Sequence, residues 1–234
     1  MSKQICFTDK NWKEQLEGAT FNKKLEDQII GARINEARKN KEYYPDMTMV
    51  TVLSPKDHKI KDIGFNKPND LLLDNFGNWI AGLALPTFNS GITKTLKNDA
   101  GNNIDMYMGY LTGAAFYWNH QVNVAPGFVF RLGSSSVAPA RTDYKIGAAF
   151  ATAVSEGTWL ESSYGMYTES NASSVFAGAC VAGSVGVLKE AMVFSWWGRS
   201  GVDGPYYFAL THDAINPVSF GTGDVLCATC TISI

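Results

Sequence analysis

The rhythm of the last two thirds of this chain constrains its fold more than anything else in it. From residue 87 onward, short runs of β-branched and aromatic residues alternate with clusters of Gly, Asn, Asp, Ser and Pro. Turn signals spaced roughly 8–12 residues apart suit short strands and leave no room for long helices. Strands are expected at Ile92–Leu96 and Ile104–Tyr110 around a hairpin turn, then at Ala114–Val124, Phe128–Leu132 and Tyr144–Phe150. Others are expected at Thr158–Tyr167, Ser174–Val181, Val185–Trp196, Tyr206–Thr211 and Val225–Ile234. About ten such strands, without a long repeat period, predict a mainly β body: an antiparallel β-sandwich or jelly roll.

Within that body, Phe128 to Ile146 (FVFRLGSSSVAPARTDYKI) reads as a strand, a Gly/Ser turn, a stop at Pro139 and a re-entry into extended structure. Arg141 and Asp143 are expected to brace this corner. No base stands near Ser134, Ser135 or Ser136 in sequence, so the stretch reads as a structural corner and not as a ligand cradle.

The front of the chain differs. Residues 1–75 hold 25 of the 42 charged side chains. Phe21, Leu25 and Ile29 recur at helical spacing, continued by Ile30, Ile34 and Ala37, which predicts an amphipathic helix over Phe21–Glu42. Met47–Leu53 is a β-branched strand candidate. The lysine-rich segment Ser54–Pro68, with its prolines, reads as loop or linker. A second helix is expected over Asn69–Leu83, with Leu72, Phe76, Ile80 and Leu83 on one face. The contrast suggests two parts: a charged, partly helical attachment arm at 1–68, and a β-sandwich domain with a leading helix at 69–234.

Composition narrows the function classes. A net charge of −2 sets up no field that would recruit nucleic acid or an anionic membrane. Lys56, Lys59, Lys61 and Lys67 are interleaved with Asp57 and Asp62 and lack aromatic platforms, so they read as solvated surface. No stretch has the apolar length of a membrane span or signal peptide, which leads to the expectation of a soluble protein made in a cytoplasm.

Motifs for chemistry are sparse. Cys227 and Cys230 have CxxC spacing, but on a strand residues three apart face opposite ways, so free thiols are expected. Asp99, Asn102, Asn103 and Asp105 do not match a calcium loop and suit a turn. His58, His120 and His212 are isolated in sequence, which suggests surface or edge positions. Glu156, Glu161 and Glu169 are scattered carboxylates without a defined separation. No catalytic residue, cofactor or metal is expected. The dense aromatics Trp159, Trp196, Trp197, Tyr206 and Tyr207 instead mark a subunit interface or a glycan-stacking surface.

The helix-like LLLDNFGNWIAGL, the corner FVFRLGSSSVAPARTDYKI, the strand VLKEAMVFSWW and the closing GTGDVLCATCTISI together resemble virion structural proteins of tailed phages and some archaeal viruses. The resemblance covers residues 70–234. It implies a non-enzymatic, homo-oligomeric particle component located in the virion, with other virion proteins as partners. A carbohydrate- or receptor-binding module on a tail or fibre, contacting a host glycan, is the alternative.

Overall fold

The computed structural model describes residues 16–42, 46–66, 72–78, 93–107, 128–150, 160–161, 166–168, 173–199 and 203–233. Among these residues the chain is mainly β, and all its strand pairings are antiparallel.

The expected first helix is present as α1, Lys23–Asn40. Asn22 caps its start, its side-chain oxygen accepting from the Leu25 amide at 3.0 Å. Lys41 closes the other end in the left-handed conformation, its amide donating back to the Ala37 and Arg38 carbonyls. Ile29 and Ile30 are buried, each contributing about 1.5–3 kcal/mol by leaving water. They pack with Met47, Met49 and Leu53 of β1 (Asp46–Leu53) and with Ile60, Ile63 and Phe65 of β2 (Ile60–Phe65).

Strand β2 corrects the linker expectation for Ser54–Pro68. Its lysine and aspartate occupy the exposed and half-buried positions, while Ile60, Ile63 and Phe65 are buried. The polar residues on view in the sequence are therefore one face of a strand. The arm–body division also looks different in three dimensions. β1 lies inside a five-stranded sheet ordered β2, β1, Val225–Ser233, Ser173–Val181 and Met166–Thr168, so the change in charge near residue 68 is not a packing boundary.

The other members of that sheet are β7 (Met166–Thr168), β8 (Ser173–Val181) and β11 (Val225–Ser233). A four-stranded sheet is ordered β10-β9-β5-β6, from β5 (Phe128–Gly133), β6 (Leu160–Glu161), β9 (Gly186–Arg199) and β10 (Asp203–Phe220). The expected hairpin forms from β3 (Thr93–Lys97) and β4 (Asn103–Tyr107).

One apolar cluster draws on both large sheets. Val50 and Val52 of β1 and Leu226, Ala228, Cys230 and Ile232 of β11 meet Phe130, Leu132, Val193, Val218 and Phe220. Alternation along β1 explains how one strand serves two clusters: Val50 and Val52 enter this one, Met47, Met49 and Leu53 the α1 cluster. The sheets come close where β2 meets β10. A Cβ on Gly64 would lie 2.3 Å from Val218 Cγ2 and 2.8 Å from the Asn216 carbonyl oxygen, so only glycine fits.

Two strand expectations change. The Tyr206–Thr211 candidate is the front of an 18-residue strand. Its second half, with His212, Asp213, Asn216 and Pro217, carries no apolar run that would mark a strand. The register shifts between Ala214 and Val218, and a bulge on an outer strand tolerates proline. Conversely, Tyr144–Phe150 is not a strand; it is an irregular segment with one isolated β-bridge to the sheet, Gly133 to Ala149. Of the second helix, the description covers 72–78, helical over 74–78. Ala114–Val124 lies outside the described residues.

Candidate functional site: a buried histidine between two carboxylates

The sharpest concentration of chemistry-bearing groups lies on the outer side of the β9–β10 pair. His212 of β10 is 4% exposed and Glu190 of β9 is 1% exposed. Nε2 of His212 lies 3.0 Å from Glu190 Oε2, and Nδ1 lies 2.7 Å from Asp143 Oδ2. Both ring nitrogens therefore face carboxylate oxygens. A neutral imidazole has one donor and one acceptor nitrogen, and only the doubly protonated ring donates in both directions.

Glu190 is held further by the segment after β5. The amides of Ser135 and Gly147 donate to its Oε1 and Oε2 at 3.0 Å each, and that of Ala148 to Oε1 at 2.8 Å. The carboxylate occupies a nest of backbone donors, which only a small backbone can bring so close. A Cβ on Gly133 would fall 2.3 Å from Glu190 Oε1, and one on Gly147 2.9 Å from the Ser135 side chain.

Electrostatics follow from this geometry. Burial raises the Glu190 carboxyl, but hydrogen bonds from His212 and from the Ala148, Ser135 and Gly147 amides outweigh it and leave its pKa below the ordinary value. Burial lowers the His212 pKa, and the hydrogen bonds and charges of Glu190 and Asp143 more than reverse that, leaving it raised.

Asp143 also accepts from the Ala140 amide at 2.8 Å, closing a turn. Arg141 points elsewhere: its Nη2 lies 3.0 Å from Asp74 Oδ1, and its carbonyl accepts from the Asp74 amide. The two residues named from the sequence thus sit at one corner with different partners, one a buried histidine and the other a surface aspartate.

A second buried polar group lies between the sheets. Asp213 Oδ2 accepts from Thr48 Oγ1 at 2.7 Å, and its Oδ1 from Asn66 Nδ2 at 3.3 Å. Burial holds the Asp213 pKa above the ordinary range. Asn66 also donates to the Asp46 carbonyl and accepts from the Thr48 amide. These groups join β1, the end of β2 and β10.

The remaining candidates divide as follows. Trp159 lies outside the described residues, and Trp196 and Trp197 are described in their backbone alone. The β9–β10 register sets Tyr206 opposite Trp197 and Tyr207 opposite Trp196. Both tyrosines are half-buried. The Tyr207 ring lies 5.4 Å from the Arg131 guanidinium, which also sits 4.7 Å from the Phe194 ring and pairs with Asp99 at 2.7 Å. Asp99, one of the considered calcium ligands, is thus taken up by an ion pair joining the β3–β4 turn to the sheet. Among the described residues no group of three His, Cys, Asp or Glu side chains is arranged to hold a metal. Nor is any described helix long and apolar enough to cross a membrane.

Cys180, Cys227 and Cys230 are free thiols. As expected from the strand geometry, Cys227 packs toward the α1 cluster and Cys230 into the inter-sheet cluster. Burial pushes Cys180 up to about 12 and Cys227 up to about 11, and Cys230 well above its ordinary value. His58 is exposed, and His120 lies outside the described residues, as do Glu156 and Glu169.

The sequence places His212 at a surface or edge position and does not single out Glu190; the structure buries both. Their signal is local: Lys189-Glu190 breaks the apolar run VLKEAMVF, and His212 directly follows the run Tyr206–Thr211. Only the pairing of β9 with β10 brings them together. No protein-family model matches the sequence, and no curated protein matches it.

Proposed function

We propose that this chain is a non-enzymatic structural component of a virus particle, self-associating through its β body and contacting other particle proteins through its N-terminal region. The observation that carries the reading is the way its reactive groups are occupied. Both nitrogens of His212 face carboxylates, Glu190 sits in a nest of amides, and the three described thiols are held far from the thiolate form. Such groups brace a fold and are not free to attack a substrate. We read the two antiparallel sheets, joined by one apolar cluster, as a β-sandwich. Val181, Val185 and Val187 stand exposed around the β8–β9 turn, an apolar surface that a second copy of the chain would cover.

The test is sedimentation velocity over a range of concentrations, combined with mass spectrometry of purified particles. A concentration-dependent oligomer and the presence of the chain in particles support the reading. A stable monomer that is absent from particles sinks it. The glycan-binding alternative draws on the facing pairs Tyr206–Trp197 and Tyr207–Trp196 at one end of β9–β10. Binding on a glycan array that disappears with Trp196→Ala or Trp197→Ala would favour it.

A further inference from the structure

The Asp143–His212–Glu190 cluster does more than fill space, because it ties the middle of an irregular 17-residue segment to the sheet beneath it, while Phe150, edge-on to Phe220 at 5.3 Å, anchors the segment's end. Residues 134–150 follow β5 without forming a strand. They reach the four-stranded sheet through the three amides on Glu190, through Asp143 on His212, and through backbone bonds at Ser134 and Phe150. Beneath part of the segment lies an apolar patch of Val129, Met192, Phe194 and Ala209, which Ile146 and Leu73 complete.

We propose that His212 is a proton-controlled latch: as an imidazolium it bridges Asp143 to Glu190 and holds residues 134–150 closed, and loss of its proton at alkaline pH releases them and uncovers the apolar patch. With both carboxyls ionised, the geometry calls for a charged bridge. With carboxylate oxygens 2.7 Å and 3.0 Å from the two nitrogens, a neutral ring would set a lone pair against one carboxylate. Removing the proton therefore leaves the buried Glu190 carboxylate and the half-buried Asp143 carboxylate with one donor between them.

The groups facing His212 are few. Glu190 comes from β9, and Asp143 from the segment itself. Asp213, next along β10, is engaged with Thr48 and Asn66 and also feels the His212 charge. Arg141 is directed at Asp74 and does not compete for Asp143.

The sign is fixed by the histidine. A native pKa raised above the ordinary 6.5 gives stabilisation that is complete below 6.5 and lost as pH rises through the native value. Each unit of elevation changes the closed-to-open ratio about tenfold. This latch is independent of the particle reading and stands or falls on a different experiment.

That experiment follows the His212 ring by nitrogen-15 NMR in the His58→Gln/His120→Gln double variant, where His212 is the sole histidine. In parallel, hydrogen exchange at the Ser135, Gly147 and Ala148 amides is measured across pH and corrected for intrinsic exchange. Both ring nitrogens should carry protons at pH 7. Protection of the three amides should fall at least about tenfold through the ring's own titration, while the β1–β11 amides stay protected. Asp143→Asn should lower the ring's midpoint and move loop opening with it. A single neutral tautomer at pH 7, or amide protection that stays flat while the ring titrates, overturns the proposal. So does an Asp143→Asn variant whose midpoint shifts without moving the opening.

Discussion

His212 and Asp213 are consecutive on β10, yet they serve opposite sides of the sheet. The histidine bonds outward to Asp143 and Glu190, and the aspartate bonds inward to Thr48 and Asn66. The alternation of a strand thus turns one dipeptide into two fastenings, one holding the surface segment and the other joining the two sheets.

Because Glu190 and Asp213 titrate in opposite senses, stability should depend on pH in a composite way. Glu190, with its pKa lowered from 4.5, contributes stability that is present above 4.5 and lost as pH falls through its native value. Asp213 is raised from 3.8, so its contribution is complete below 3.8 and fades as pH rises. Urea unfolding at a series of pH values should show an acid limb that Glu190→Gln flattens. An acid limb unchanged by that substitution would show that Glu190 is not its source.

Glu190→Gln should also be costly at neutral pH. It removes one member of a buried charged set whose other members stay in place, a change worth about 3–5 kcal/mol. Equilibrium denaturation reads this directly, and a loss under 1 kcal/mol would contradict the buried network.

Arg141 and Asp143 should behave differently despite their proximity. The Arg141–Asp74 pair is exposed on both sides, so Arg141→Ala should cost no more than about 1 kcal/mol. Asp143→Ala removes the carboxylate's charge-assisted hydrogen bond with the buried His212 ring and should cost about 1.5–3 kcal/mol. Thermal melts of the two variants should rank them in that order.

Gly64→Ala tests the close approach of β2 to β10. Its new methyl would meet Val218 and the Asn216 carbonyl, so the strands must separate, at about 1–3 kcal/mol. A melting temperature equal to that of the parent chain would mean that the strands are farther apart than described.

The thiols offer a chemical check. In a Cys6→Ser background, a thiol reagent at pH 8 should leave Cys180, Cys227 and Cys230 unmodified until denaturant is added, because burial raises all three. Rapid labelling of the native protein would contradict their burial.

Much of the β framework was legible because its strands carry their signal locally. Val225–Ile234, Ser174–Val181 and Phe128–Leu132 combine β-branched or aromatic content with clear turn boundaries, and each was found within a residue or so. β2 and the second half of β10 were not legible, because their buried positions are interleaved with Lys, Asp, His and Pro. For such strands the neighbours supply what propensity does not: α1 covers Ile63 and Phe65, and buried hydrogen bonds satisfy Asp213. The histidine cluster was illegible for a different reason. Its members lie at 143, 190 and 212, and no spacing rule joins residues brought together only by strand pairing and a loop.

The position of β1 has a consequence for how the molecule forms. This strand is buried at every residue, and its register matches Asp46 to Ile232 and Leu53 to Val225. The hairpin with β2 can form early, but the pairing that encloses β1 waits on a partner from the far end of the described sequence. Closing so large a loop is entropically demanding and contributes nothing until it is complete, so folding should be slow. Until β11 arrives, the edge of β1 is open to strands from other chains, and the yield of native protein should fall as its concentration during refolding rises.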